Sequence, residues 1–208
     1  MRHVAASTIR RLSLYLQYLD ECGRQEQTTV SSRALAERGG ATPAQVRKDL
    51  SFFGSFGKRG IGYPVLQLAA RLREILGLGR GYRVVLVGSG RIGAALADYP
   101  GFAARGFRIA AIYDADPSKV GRSLDGHEVR SMRRLEVDLA AEPADIAVIG
   151  APAAAAQDIA ERLVKSGVRA LLNFAPVALQ VPPGVAVINV NVALELEALS
   201  FALTRRRT

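Results

Sequence analysis

A strand-to-helix segment with three spaced glycines constrains the fold of this chain more than any other feature. The four apolar residues at positions 84–87 predict a strand that is buried on both faces. The following glycines have the spacing G-x-G-x-x-G: Gly88 suits a tight turn, Gly90 a close backbone approach to a ligand, and Gly93 close packing of the next helix. The free N–H groups at the start of that helix form a site for the pyrophosphate of a dinucleotide.

The residues after the glycines complete a strand–helix–strand unit. A helix is predicted over residues 92–103, and a second strand over residues 107–113 ends in Asp114. This aspartate lies 21 residues after Gly93, where a carboxylate accepts hydrogen bonds from the hydroxyls of an adenosine ribose and would repel a 2′-phosphate. The unit therefore predicts binding of NADH and NAD+. Its predicted binding residues are Gly88, Ser89, Gly90, Arg91, Ile92, Gly93 and Asp114.

Further strands and a helix extend this unit toward the C-terminus. Strands are predicted over residues 146–149, 170–173 and 185–190, and a helix over residues 153–166. Residues 124–137 are predicted to be a polar, irregular stretch. This order of elements indicates a doubly wound, mostly parallel sheet, so the second part of the chain is predicted to be a Rossmann-like α/β domain.

The positive charge of the chain is concentrated in its first part. Residues 1–80 contain 13 Lys and Arg against 6 Asp and Glu, a net charge of +7, whereas residues 81–208 contain 15 against 13, a net charge of +2. A basic surface on residues 1–80, which lack the nucleotide motif, indicates a polyanionic partner. Double-stranded DNA is favoured over a membrane because no basic amphipathic membrane helix is present.

Composition excludes several other classes of protein. One cysteine, Cys22, excludes a disulfide framework, and with only two histidines no metal site is expected. No apolar run approaches the length needed to span a membrane, and no secretory signal is expected at the N-terminus. The chain is therefore expected to be cytoplasmic.

Four helices are predicted in the basic part, the last over residues 65–76, and the first three have the pattern of a helix-turn-helix. The first covers residues 9–22 with Ser7 or Thr8 as its cap, and the second covers residues 32–38. The third begins with Thr42 as N-cap and Pro43 at the first helical position, and Gln45 is expected to close a capping box. Two short helices joined by a glycine-containing turn indicate a DNA-binding unit.

The third helix and the segment after it supply the predicted DNA contacts. Val46 and Leu50 face the core, which leaves the other faces of the helix for a DNA groove. Glycines alternate with aromatic residues over positions 53–63, which predicts a hairpin that serves as the wing of a winged helix. The predicted DNA-binding residues are Gln45, Arg47, Lys48 and Ser51 on the helix and Lys58 and Arg59 at the wing tip.

Three functional regions follow from these patterns. A winged-helix DNA-binding domain is expected over residues 1–79 and a Rossmann-like NAD(H)-binding domain over residues 80–190, joined by a glycine-rich segment. Residues 191–208 contain a helix over positions 193–203 that is too apolar for a surface helix. This last region is expected to pack against a partner chain.

Motifs along nearly the whole chain resemble the family of redox-sensing transcriptional repressors Rex. The motifs are residues 46–51 in the third helix, 57–63 in the wing, 88–93 in the glycine loop, 97–102 after it, and 172–176. The resemblance implies a homodimer with a domain-swapped C-terminal helix. It also implies binding to an inverted-repeat operator when NAD+ predominates and release when NADH binds. Further cofactor contacts implied by the resemblance are Tyr99, Pro152, Asn173, Phe174 and Ala175.

Two positions depart together from the pattern of this family. Where many relatives have aspartate near the end of the last strand, this chain has Asn191, and an arginine that pairs with that aspartate in a relative corresponds to Gln17. Two neutral amides form a weaker hydrogen bond than an ion pair. The resemblance therefore implies that Gln17 and Asn191 change the NADH sensitivity of the redox switch, and drift at a contact without a role in this chain stays open as the alternative.

Two other functions agree with parts of the sequence. An NAD-dependent dehydrogenase needs an acid or base near the nicotinamide, but neither histidine follows a strand end in the nucleotide domain, and no separate substrate domain exists. Tyr99 is the one candidate proton donor, although a positioning role suits it better. A divergent paralogue that binds a dinucleotide but responds weakly to NADH stays open, and an enzyme is not expected.

Overall fold

The computed structural model describes residues 4–57 and 61–205. The chain divides into two compact units, of which the first ends at Arg80 and the second begins at Gly81. Each unit has its own apolar core.

The first unit is a small helical domain with one two-stranded ladder. Its helices are α1 (Ala6–Arg24), α2 (Ser32–Gly39), α3 (Pro43–Ser51) and α4 (Val65–Ile75), and its strands are β1 (Thr29–Val30) and β2 (Tyr63–Pro64). The core consists of leucine and valine side chains from all four helices, including Leu12, Leu16, Leu19, Leu35, Val46, Leu50, Leu68 and Leu72. Helices α1 and α2 pack so closely that a Cβ atom on Gly39 would lie 2.3 Å from the ring of Tyr15.

The predicted start of α1 is wrong. The helix begins at Ala6, and its N-cap residue, Ala5, makes no side-chain capping bond. Thr8 does not cap the helix because its hydroxyl group is buried in the first turn, where it contacts Arg11 and Asp49. The C-terminal end also extends beyond Gly23 to Arg24.

The caps of α2 and α3 form a tight helix-turn-helix. Gly40 ends α2 in the left-handed conformation, and Thr42 caps α3 by accepting a 3.1 Å hydrogen bond from the backbone N–H of Gln45. The N-cap prediction is thereby confirmed. The predicted capping box is wrong, because the Gln45 side chain turns along the helix and donates to Asp49 instead of returning to the cap.

The glycine-rich segment after α3 is described only in part, because residues 58–60 at the tip of the predicted hairpin lie outside the described residues, and the hairpin stays a prediction. Positions 53–57 are irregular, and the ladder pairs Val30 with Tyr63 across two distant parts of the chain. The flanks of the segment nevertheless meet, since a Cβ atom on Gly57 would lie 2.6 Å from the carbonyl oxygen of Gly62. The predicted tip residues Lys58 and Arg59 lie outside the described residues.

The second unit is an α/β domain built on a twisted sheet. Its strands are β3 (Tyr82–Val87), β4 (Phe107–Asp114), β5 (Ser123–Leu124), β6 (His127–Ser131), β7 (Ile146–Ile149), β8 (Ala170–Asn173) and β9 (Ala186–Asn189). Its helices are α5 (Arg91–Ala97), α6 (Pro100–Ala103), α7 (Leu135–Ala141), α8 (Ala153–Lys165) and α9 (Val192–Arg205).

The strand order confirms the predicted doubly wound architecture. Within the described residues the sheet has seven strands in the order β5-β6-β4-β3-β7-β8-β9, and every neighbouring pair is parallel except β5 and β6. Alternate residues of β3 face opposite sides: Val85 and Val87 pack under α7 and α8, whereas Val84 and Leu86 pack toward α5 and α6. The carboxyl ends of the parallel strands consequently meet at one edge, where Rossmann folds bind ligands.

Two predictions for this unit need correction. The helix predicted over residues 92–103 is broken at Tyr99, whose backbone is extended because Pro100 disfavours the helical conformation of the residue before it. The stretch predicted as irregular over residues 124–137 contains β6, a short 3-10 turn and the start of α7. Polar side chains on the exposed sides of these short elements obscured their periodicity.

Candidate functional site

The glycine loop between β3 and α5 is held by three closely packed backbone segments. Gly88 has a φ of +102°, and a Cβ atom there would lie 2.7 Å from the carbonyl oxygen of Gly150, at the end of β7. A Cβ atom on Gly93 would lie 1.9 Å from the carbonyl oxygen of Gly88. Side chains at Gly88 and Gly93 would therefore push α5 and β7 away from the loop.

Gly90 differs from these two glycines because open space surrounds it. A Cβ atom at this position would meet no heavy atom within 4 Å, and its φ of −70° is accessible to other residues. Gly90 is the N-cap of α5 and provides no side-chain capping bond, so the first N–H groups of the helix have no intrahelical partner. Arg91 and Ile92 are exposed beside them. This open end of a helix fits the predicted pyrophosphate.

Asp114 ends β4 and connects that strand to the glycine loop. Its Oδ2 accepts hydrogen bonds from the backbone N–H and the hydroxyl of Ser89, at 2.8 and 2.6 Å, and from Lys119 Nζ at 3.2 Å. Its Oδ1 accepts one bond, from the backbone N–H of Asp116 at 2.9 Å. Burial by itself would raise the pKa of Asp114, but the bonds from Ser89, Asp116 and Lys119 outweigh it and lower the pKa to about 2. Asp114 is thus a fixed negative charge beside the loop.

Lys119 is a residue of this site that the sequence reasoning missed. It forms an ion pair with the nearly buried side chain of Asp114, and its Nζ lies 4.0 Å from the carboxylate of Asp116. The sequence did contain a signal for Lys119, the turn that begins at Asp116 and Pro117. Such a turn brings a residue five positions after Asp114 back toward the end of β4.

The ends of β7 and β8 bring the next group of predicted residues to the same edge. Pro152 is exposed and is the N-cap residue of α8, and the backbone N–H of Phe174 donates to the carbonyl oxygen of Ile149 at 2.9 Å. Ala175 is buried in the core beneath α8. Of these residues, Pro152 presents an exposed surface next to the glycine loop.

The side chain of Asn173, a predicted cofactor contact, makes its hydrogen bonds inside the protein. Asn173 is fully buried, and its amide nitrogen donates to the carbonyl oxygen of Val177 and to Oδ1 of Asn189, both at 2.8 Å. Its amide oxygen accepts from the backbone N–H of Ala175 at 3.0 Å. These bonds shape the loop after β8, so the side chain acts by positioning the backbone that follows it.

Tyr99 lies in the break between α5 and α6, next to an apolar cavity. Its ring packs on Gly101 and meets the ring of Phe102 edge to face, with the centroids 5.2 Å apart. The cavity has a volume of about 380 Å³ and lies over β3, β7, β8 and β9. Besides Tyr99, its lining includes Val84, Phe102, Ile146, Val148, Leu172 and Ile188.

The predicted DNA-binding residues of α3 differ in how free their side chains are. Arg47 is exposed and donates to the hydroxyl of Ser32 at 3.2 Å, and Lys48 is also exposed. The hydroxyl of Ser51 donates to the carbonyl oxygen of Lys48 at 2.8 Å, and Gln45 is half-buried against Asp49. The helix therefore presents two cations and one half-buried amide.

Asp49 is the second important residue that the sequence reasoning did not single out. Its fully buried carboxylate accepts two hydrogen bonds from Arg11, at 2.6 and 2.7 Å, and further bonds from Tyr15 and Gln45 at 3.1 and 2.8 Å. Burial by itself would raise the pKa of Asp49, but the bonds from Arg11, Gln45 and Tyr15 hold it below its ordinary value. The sequence contained one signal for the burial of Asp49: it follows the core residue Val46 by three positions and therefore lies on the same inward face of α3.

The two predicted switch residues are both exposed. Gln17 lies on the outer side of α1. Asn191 precedes α9, and its Oδ1 accepts a 3.0 Å hydrogen bond from the backbone N–H of Ala193. Asn191 therefore caps α9, a role that the sequence reasoning missed although asparagine before an apolar helical run is a common cap.

Among residues 4–57 and 61–205, no group of three or more His, Cys, Asp or Glu side chains is arranged to hold a metal ion. In the same residues no helix is both long and apolar enough to cross a bilayer.

A basic helix-turn-helix unit and a Rossmann-type dinucleotide unit in one chain define a class of protein, the DNA-binding regulators that respond to a nucleotide. Family models agree with both units: the "CoA binding domain" model matches residues 80–177, and the "Putative DNA-binding protein N-terminus" model matches residues 3–51. The redox-sensing transcriptional repressor Rex of Desulfitobacterium hafniense is 47% identical over 98% of this chain and 97% of its own length. Rex of Streptomyces coelicolor is 44% identical over 99% of this chain and 80% of its own length. The chain belongs to the Rex family of redox-sensing transcriptional repressors.

Two solved structures of a Rex-family repressor, RSP, resemble the whole chain. RSP in complex with β-NADH is 35% identical, with a TM-score of 0.90 over 100% of this chain and 97% of that one. RSP in complex with β-NAD+ and operator DNA is 36% identical, with a TM-score of 0.92 over 100% of this chain and 95% of that one. The family is one of repressors by name, which favours a regulator over the dehydrogenase alternative.

Proposed function

We propose that this protein is a homodimeric transcriptional repressor that senses the ratio of NADH to NAD+, binds an inverted-repeat DNA operator, and releases it when NADH binds. The observation that carries the proposal is the glycine loop with Asp114 in the same chain as the basic helix α3. The solved complexes of RSP with NADH, and with NAD+ and operator DNA, support the proposal that this chain binds both a dinucleotide and DNA. Residues 1–79 would bind DNA, residues 80–190 the dinucleotide, and the protein would act in the cytoplasm, where its operator lies.

The C-terminal helix supports the homodimer. All side chains described in α9 are exposed, and they include Leu194, Leu196, Leu199, Phe201 and Leu203. Exposure of this many large apolar side chains on one helix marks an association surface. In the proposal, residues 191–208 exchange between two copies of the chain, which buries these side chains.

A gel-shift experiment tests the proposed function directly. An inverted-repeat duplex selected from a random library by the protein with NAD+ would be compared with a duplex carrying one half-site. We expect tight binding to the inverted repeat, much weaker binding to the half-site, and release of the inverted repeat on addition of NADH. Equal binding to both duplexes would contradict the homodimer, and binding that ignores NADH would contradict redox sensing.

Alanine substitutions at Gly90 and Gly93 should separate ligand binding from folding. Gly90→Ala fits the empty space at that position, so the melting temperature should be unchanged while NADH binding weakens, because the methyl group occupies the place of the pyrophosphate. Gly93→Ala should lower both the melting temperature and the NADH affinity, since its Cβ would lie 1.9 Å from the carbonyl oxygen of Gly88. Thermal denaturation and calorimetric titration with NADH measure the two effects. Full NADH affinity in Gly90→Ala would remove the loop from the site.

The cations of the DNA-binding unit should differ from one another in role. Replacing Lys48, or both Lys58 and Arg59, by alanine should weaken binding to all sequences about equally and reduce the salt slope by about one per lost phosphate contact. Replacing Arg47 should relax specificity at one base pair by ~1–3 kcal/mol if it reaches a base edge. Fluorescence anisotropy over a range of salt concentrations measures both quantities. An unchanged salt slope in Lys58→Ala/Arg59→Ala would remove the wing from the interface.

Gln17 and Asn191 should tune the concentration of NADH needed for release. Restoring the charged pair with Gln17→Arg and Asn191→Asp should shift the NADH concentration for half-release, and each single change should differ from the pair. Asn191→Asp keeps an oxygen that can cap α9, so the helix should remain formed. Operator release measured against NADH concentration gives the double-mutant cycle. Additive effects near zero would show that these positions do not interact.

A further inference from the structure

The buried carboxylate of Asp49 fixes the orientation of the one amide on the DNA-binding face of α3. An ionised carboxylate has only acceptor atoms, so every group that contacts it must donate. The Gln45 side chain meets Asp49 Oδ1 at 2.8 Å, and its contacting atom must therefore be the Nε2 amino group. The reversed amide would place two oxygens against each other.

The surroundings of Asp49 hold this orientation firmly. Two hydrogen bonds from Arg11 fix the carboxylate, and the hydroxyl of Tyr15 fixes it from another direction. The carboxylate is fully buried and its pKa lies below the ordinary value, so Asp49 stays ionised at neutral pH. Rotation of the Gln45 amide would break its bond to Asp49 and bring two acceptors together.

The opposite end of the same amide is the group that can meet DNA. Within residues 4–57 and 61–205, no hydrogen bond uses Oε1 of Gln45. Gln45 lies in the first turn of α3, and the first turn of a recognition helix contacts base edges in the major groove. Arg47 and Lys48 can only donate hydrogen bonds, so the Gln45 amide adds an acceptor beside these donors on this face.

We infer that Gln45 is a specificity-determining residue that reads an exocyclic amino group in the major groove through Oε1, and that Asp49 is the positioning residue that sets this polarity. In the major groove these amino groups are N6 of adenine and N4 of cytosine. The inference rests on the proposed function and deepens it by naming the chemical group that one residue recognises.

Base analogues in the operator test the polarity of this contact. Gln45→Met, which keeps the length of the side chain and removes the amide, first identifies the base pair at which sequence discrimination is lost. At that pair, purine in place of adenine, or 2-pyrimidinone in place of cytosine, deletes the amino group, and a 7-deazapurine deletes the N7 acceptor. We expect deletion of the amino group to weaken wild-type binding about 2- to 10-fold and to leave Gln45→Met unaffected.

The outcomes separate the inference from the proposed function. A loss of operator affinity could instead depend on Gln45 only when an acceptor atom of the base is deleted. This result would require the amino group of Gln45 to face DNA, and it would overturn the inference while operator binding stands. If Gln45→Met kept every base preference of the wild type, the inference would also be overturned while operator binding stands. Failure of the wild-type protein to bind any selected duplex would overturn the proposed function itself. Lys48→Ala is the matched control, and its effect should add to that of amino-group deletion.

Discussion

Arg11→Met is expected to lower the free energy of unfolding of the N-terminal unit by about 3–5 kcal/mol. The substitution keeps most of the apolar stem of residue 11 but removes both charged hydrogen bonds to Asp49, whose carboxylate is fully buried. A loss of this size is a large fraction of the stability of a small domain. Hydrogen exchange of the amides in α1 and α3 measures it without requiring the two units to unfold together.

The pH dependence of this loss identifies its cause. In the wild-type protein the pKa of Asp49 is lowered, so its contribution to stability is present above the unfolded pKa of about 4 and disappears as pH falls through the folded value. Without Arg11, burial should raise the pKa of Asp49, and protonation on acidification then removes the unpaired charge. The deficit relative to the wild type should therefore be largest near neutral pH and shrink toward about pH 4.

Arg73→Met is the matched control for this experiment. Arg73 pairs with Asp20, and both side chains are substantially exposed, so the expected loss is about 0–1 kcal/mol with little dependence on pH. Equal losses in the two variants would show that the Arg11–Asp49 pair does not anchor α3 to α1.

The elements with a strong period or a distinctive cap could be predicted from the sequence. Thr42 before Pro43 marks the start of α3, and the apolar run at positions 84–87 marks β3, because each signal acts within a few residues of the chain. The break at Tyr99 was also signalled locally, by Pro100, but the apolar residues on both sides outweighed it in the prediction. The short strands β5 and β6 have too few residues for a clear period: β6 pairs with the edge of β4, and β5 pairs with β6.

The candidate site shows a similar division between local and distant causes. The spacing of Gly88, Gly90 and Gly93 directly reflects local backbone geometry, so sequence identified the loop. Asp49 could not be assigned from its neighbours, since its main partner, Arg11, lies 38 residues away in the chain. Asn173 was assigned to the cofactor through the family resemblance, and sequence could not show that its partner Asn189, from the next strand, draws the side chain inward.

Asp114→Ala is expected to reverse the preference for NADH over NADPH. In the wild type, Oδ1 of Asp114 accepts only the N–H of Asp116 within the described residues, so it retains acceptor capacity for a ribose hydroxyl. Loss of a hydrogen bond to a charged acceptor should weaken NADH binding about 10- to 100-fold. Lys119 would remain without the carboxylate that now neutralises it, and an uncompensated cation attracts a 2′-phosphate.

Two neighbouring substitutions make this prediction specific to the Asp114–Lys119 pair. Asp116→Ala removes an exposed carboxylate 4.0 Å from the same lysine and should leave the preference unchanged, whereas Lys119→Met should strengthen discrimination against NADPH by leaving Asp114 less neutralised. Because the pKa of Asp114 is about 2, the carboxylate is charged throughout the range in which the protein can be assayed. The NADH affinity measured by calorimetric titration should therefore show no change from titration of Asp114 above about pH 4. The rejection of NADPH should weaken as the pH falls below about 6, because the 2′-phosphate then takes up a proton and loses one negative charge. An Asp114→Ala variant that still rejects NADPH as strongly as the wild type would assign ribose recognition to another residue.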